Sequence, residues 1–165
     1  WALYALSTLL GGSMSSRLFQ NIREKEGLCY SIYSFHSTYE DTGLFGIYCG
    51  TSPENFNKVV DLILQECRAI VESGISTEEL GDTKSYMKGN IALSLESTEV
   101  RMGQLARNEM NYGRYISFQE IVEQIDRVDS ADVVRVARRL MKDRTLTMVS
   151  IGNIGKEAGK RQFRI

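Results

Sequence analysis

The stretch from Leu10 to Ser34, LGGSMSSRLFQNIREKEGLCYSIYS, constrains this chain most, because it demands a helix, a stop and a strand in quick succession. Gly11-Gly12 ends the apolar segment before it. Ser15 or Ser16 can cap the orphan amides of a helix over 14–26 that turns Leu18, Phe19 and Ile22 inward. Gly27 supplies the left-handed residue that stops this helix. Leu28 to Tyr39 is rich in β-branched and aromatic residues and reads as a strand. Arg23, in the last helical turn, and Tyr30, near the strand start, then flank one corner. Both are hydrogen-bond donors on amphipathic side chains, and this corner is the candidate site. The plainer reading makes Arg23 a helix-end cation near Glu26 and Tyr30 a half-buried strand residue. Pattern alone prefers it.

The remaining elements follow from caps and periodicity. Leu3, Ala5, Leu6, Leu9 and Leu10 form a helical stripe before the glycines. Beyond a turn at Tyr39 to Gly43, Leu44 to Thr51 reads as a second, antiparallel strand. Gly46 and Gly50 share one face of it and leave that face bare. Ser52-Pro53 opens the clearest amphipathic helix, with Phe56, Val59, Val60, Ile63, Leu64, Cys67, Ile70 and Val71 at helical spacing. Ser76 with Glu79 forms a capping box for a helix to Ser94 or Leu95, and Thr98 caps the next, which ends near Gly113. Ser117 with Glu120 is a second box, with Ile116 and Ile121 as a staple beside it, and Asp129 or Ser130 starts the last helix. Thr145 to Ile151 reads as a final, third strand. The fold class is therefore α/β (α+β), a small antiparallel sheet packed against a run of helices. We expect one domain over 1–152 and a polar, fraying tail over 153–165.

Composition excludes several functions. Twenty basic residues against 21 acidic give a net charge of −1, which offers no field to attract nucleic acid or an anionic membrane. No apolar run is long enough to span a bilayer. Cys29, Cys49 and Cys67 show no CxxC spacing and lie in apolar patterns, as reduced core cysteines do. A Cys/His dyad with His36, the single histidine, stays open but has no support from spacing. One histidine cannot build the two-histidine zinc site of a metallopeptidase, and the residues by themselves name no reaction. There is no phosphate loop, dinucleotide fingerprint or nucleophile elbow. The serines at 13, 15 and 16 read as caps, and the pairs Glu24/Glu26 and Glu78/Glu79 as solvated charge.

Three blocks go beyond these patterns: GG-x-x-S-S-R-L-F at Gly11 to Phe19, RE-x-x-GL-x-Y at Arg23 to Tyr30, and DTG-x-F-x-I-Y-x-G-T-x-P at Asp41 to Pro53. In this order and register they resemble the C-terminal-domain signature of the M16 metallopeptidases, the family of pitrilysin, insulin-degrading enzyme and the processing peptidases. The helical run from Pro53 to Met141 and the closing strand follow the same order, so the resemblance covers nearly the whole chain. The resemblance implies one half of a clamshell that closes on an extended peptide, its zinc held by the other, N-terminal half. It further implies that an arginine and a tyrosine of this half reach the substrate near the zinc. The spacing R-x6-Y assigns those roles to Arg23 and Tyr30. With the resemblance, the functional reading of the corner overtakes the plainer one.

The chain opens at Trp1 inside an apolar segment, and we expect the family's opening strand before it to have been cut away. The glycine-rich insertion of the regulatory mitochondrial processing subunit is absent, since Gly11-Gly12 runs directly into Ser-Met-Ser-Ser. A bacterial or catalytic-subunit parent is preferred, in the bacterial cytoplasm or, as the alternative, the mitochondrial matrix. Expected partners are the zinc-carrying half or subunit, an extended peptide and, through an apolar face, a second copy. The alternative function is a non-catalytic structural or partner-binding subunit of the same family. A module that binds peptides by strand addition at its sheet edge is the third reading.

Overall fold

Apolar and small residues nearly fill the segment ALYALSTLLG, which forms helix α1 (Ala2–Gly11) in the computed structural model; residues 1–142 and 146–154 are described. Ala5 to Gly11 are all buried. The helix is therefore enclosed on all sides rather than along the expected stripe, as a helix apolar all round must be. It packs against the first strand and against the third and sixth helices of the chain.

That enclosure depends on small side chains where α1 meets strand β1 (Cys29–Thr38). A Cβ built on Gly11 would fall 2.4 Å from the backbone nitrogen of Ser34. Beside it the Ser34 hydroxyl donates to the Ser7 carbonyl at 2.6 Å, and the two serine hydroxyls lie 3.3 Å apart. The buried polar atoms thus satisfy one another, which removes the cost of enclosing them.

Strand β2 (Gly43–Thr51) pairs antiparallel with β1 through a turn closed by the Tyr39 amide on the Thr42 carbonyl. The register sets Ile32 opposite Cys49, Ser34 opposite Ile47 and His36 opposite Phe45, the face that meets the core. Tyr33 opposite Tyr48 and Phe35 opposite Gly46 form the other face. The expected bare face is corrected here: the Phe35 ring lies over Gly46, where a Cβ would fall 2.5 Å from its Cζ. The result is an exposed aromatic surface, Tyr33 stacked on Tyr48 with ring centroids 5.0 Å apart and Phe35 beside them.

A 3₁₀ turn (Pro53–Asn55) leads into α2 (Phe56–Ser73), followed by α3 (Thr77–Ser94), α4 (Thr98–Tyr112), α5 (Phe118–Arg127) and α6 (Ser130–Leu140). The Ser76/Glu79 capping box forms as expected, and Asp129 with Asp132 makes another at α6. Two caps differ from expectation. Ser97 rather than Thr98 accepts the amide at the start of α4. At α5 Ser117 accepts from Glu120, but the Glu120 carboxylate turns to Arg114 at 2.6 and 2.8 Å, so the second half of that box is missing. A bidentate guanidinium outcompetes a single backbone amide. Ile22, Ile70, Met87, Ile125 and Val133 join α1 in one buried cluster.

The third strand is a correction. Residues 146–151 form no strand, and Val149 and Ile151 are 84% and 100% exposed. An extended segment gains its ladder only beside a strand with free donors and acceptors, and the described sheet is a two-stranded hairpin in which no edge takes it. Thr145, and the expected tail from residue 155 onward, lie outside the described residues.

Gly11→Ala tests the closeness of α1 to β1. Alanine normally favours a helix by about 1 kcal/mol over glycine. Here the clash with Ser34 should reverse the sign and destabilise the fold by about 1–3 kcal/mol in chemical denaturation. A stabilised variant would refute the contact.

Candidate functional site

The corner is built on a π-helix (Phe19–Lys25) where an α-helix was expected. Leu18 and Ile22 are buried beneath it. The serines before it are not side-chain caps, a second correction: buried Ser16 donates to the Ser13 carbonyl at 2.6 Å, and the Ser13 and Ser15 hydroxyls pair at 3.1 Å. They fold the turn upon itself instead. At the far end Gly27 takes φ +62°, with its amide on the Arg23 carbonyl and the Leu28 amide on the Ile22 carbonyl. That is the left-handed stop read from the sequence.

The corner is tied to the helices by Arg17, a residue the sequence reading passed over. Its guanidinium grips Glu79 at 2.8 and 2.9 Å and reaches the Gly74 carbonyl at 3.3 Å. Glu79 also accepts the Ser76 amide, so one carboxylate caps α3 and holds the start of the π-helix. The reading of Glu79 as solvated charge is corrected accordingly. Its hydrogen bonds from Arg17, ahead of the opposing effect of burial, hold its carboxyl below the usual value of 4.5.

Arg23 and Tyr30 both point their donors outward from this frame. Arg23 is exposed, and its guanidinium carbon lies 4.7 Å from the centroid of the Phe19 ring. Its side chain forms no salt bridge or hydrogen bond with the described residues. Glu26, the partner the plainer reading offered, is taken by Lys58 at 2.6 Å. Tyr30 sits at a register shift between Cys29 and Ser31 and is 83% exposed, not half-buried as that reading required. A bulge re-aims a side chain that regular pairing would turn along the sheet. No hydrogen bond or ring contact joins Arg23 to Tyr30. They share the Gly27 corner and are both free to meet a ligand.

Other candidates fall away. Burial raises the Cys29 thiol and pushes Cys49 and Cys67 up to about 12, so none is a ready thiolate. His36 lies against the Tyr4 ring at 5.8 Å and hydrogen-bonds no cysteine. Among the described residues no group of three or more His, Cys, Asp or Glu side chains could hold a metal ion. No described helix is long and apolar enough to cross a membrane.

The sequence profile of the peptidase M16 inactive domain matches residues 1–87. An uncharacterized zinc protease of Bacillus subtilis is 40% identical over 149 residues, covering 90% of this chain and 36% of that protein. One from Streptomyces coelicolor is 36% identical over 165 residues, covering all of this chain and 35% of that protein. The crystal structure of a protease from Helicobacter pylori superposes with a TM-score of 0.74 at 25% identity, over 84% of this chain and 33% of the other. The chain belongs to the peptidase M16 inactive-domain family, and its hairpin packed on helices is the fold of that non-catalytic half. It spans about a third of the length of these relatives.

Two outcomes check this description. Glu79 has a depressed carboxyl, so its contribution is present above pH 4.5 and is lost as acidification protonates it. Between roughly pH 5 and pH 3 the wild type should lose more stability, by denaturation midpoint, than Glu79→Gln; parallel profiles would dismiss the Arg17 pairing. Iodoacetamide at mildly alkaline pH should leave Cys49 and Cys67 unmodified in the folded chain and alkylate both after unfolding.

Proposed function

We propose that this chain is the substrate-binding C-terminal half of a zinc-dependent endopeptidase, closing over an extended peptide and inactive alone. The observation that carries the proposal is Arg23, an exposed guanidinium that forms no salt bridge among the described residues, presented at the same corner as the outward Tyr30 phenol. A planar guanidinium and a phenol donate well to peptide carbonyls, and to the charge that develops on the carbonyl oxygen as water attacks. The side chains described here do not fit a zinc site, so the metal belongs, in this reading, to the other half of the protein. This chain contributes orientation of the peptide and neutralisation of the developing oxyanion. The exposed Tyr33, Phe35 and Tyr48 surface supports a face that meets another body, whether substrate or the opposite half. Relatives from Bacillus and Streptomyces support a bacterial parent.

Arg23→Ala in the intact protein is the test. Removing one oxyanion donor typically costs about 10²–10³ in rate. We expect kcat/KM on an unstructured peptide to fall by that order while the thermal unfolding profile stays unchanged. Unaltered kcat/KM and peptide affinity would leave a structural or partner-binding subunit as the better reading.

A further inference from the structure

We infer that Phe19 is the positioning residue of Arg23, an inference that rests on the substrate-binding reading above. The physical problem is to order a long, mobile cation without consuming the donors that a substrate needs. A carboxylate neighbour would order Arg23, but it would occupy the in-plane N–H groups and neutralise the charge. Arg17 shows that outcome in this same chain, its Nε and Nη2 engaged by Glu79 and the Gly74 carbonyl. An aromatic face holds a guanidinium differently: the ring attracts the cation through its π face and leaves the N–H groups around the rim free.

The geometry matches that arrangement. The Arg23 guanidinium carbon stands 4.7 Å from the Phe19 centroid, well inside the range of a cation–π contact. Phe19 opens the π-helix and Arg23 follows four residues later, on the same element. The ring is half-buried and follows fully buried Leu18 in the chain, so its backbone is anchored next to the core. Among the described residues neither Glu24, the next residue in the chain, nor Glu26 forms an ion pair with Arg23, and Glu26 is drawn off by Lys58. Phe19 therefore pre-orders Arg23 and reduces the entropy lost when the substrate engages it.

The test is a double-mutant cycle in the intact protein, with kcat and KM measured on an unstructured peptide for Phe19→Leu, Phe19→Tyr, Arg23→Ala and the Phe19→Leu/Arg23→Ala pair. Phe19→Leu keeps apolar bulk but removes the π face and should lower kcat/KM roughly two- to five-fold. Phe19→Tyr should recover most of that loss, since it keeps the face. In the Arg23→Ala background Phe19→Leu should change nothing further. Wild-type kcat/KM in Phe19→Leu overturns the inference, and so does an equal loss in both backgrounds, failure to fold included, because the ring would then serve the core alone. Wild-type activity in Arg23→Ala is a different failure: it removes the substrate-binding reading itself.

Discussion

Close contact between α1 and β1 is the constraint on which the other elements depend. A helix can lie against a strand at this distance only where both present hydrogen or hydroxyl instead of bulk, and Gly11, Ser7 and Ser34 meet that condition. The contact fixes the inner face of the hairpin, because a slip of one residue would turn Ile32 and Ser34 outward. It also leaves the remaining sides of α1 to be covered by α3 and α6. Buried Leu6 and Leu10 on this helix then join Ile22 from the π-helix in one cluster, which is how the core reaches the corner.

The corner itself shows two arginines put to opposite uses. Arg17 is held by a bidentate carboxylate and a carbonyl, and so it ties the chain before the π-helix to α3. Arg23 keeps its donors and rests on a ring. The difference comes from what surrounds each one. Glu79 is held in place by its own cap at Ser76 and can receive Arg17, whereas Glu26 is bound to Lys58. One arginine stiffens the frame, and the other faces outward.

Much of this frame was legible locally. The Gly27 stop, the Ser76/Glu79 box, the Asp129 cap and the hairpin turn each depend on residues within a few positions of one another, so their chemistry is written in a short window. The Phe19–Arg23 pair lay within the same reach, at i and i+4, and the spacing could have been read as a contact. Two of the misreadings were of another kind. The strand expected over 145–151 had the right residues, but its described part, 146–151, joins no edge, and bare Gly46 was covered by a ring from the neighbouring strand.

From the sequence by itself follow the order of the helices and the hairpin, the Ser76/Glu79 capping box, the absence of a two-histidine zinc site, and the helix–glycine–strand corner that holds Arg23 and Tyr30. These are matters of composition and of neighbours along the chain. Only the tertiary structure decided that α1 is enclosed on every side, that the site helix is a π-helix, that Arg17 grips a carboxylate 62 residues away, and that a register shift turns Tyr30 to solvent. Burial and long-range pairing are properties of the packed whole, since the free energy of placing any one side chain depends on what the rest of the chain has already brought beside it.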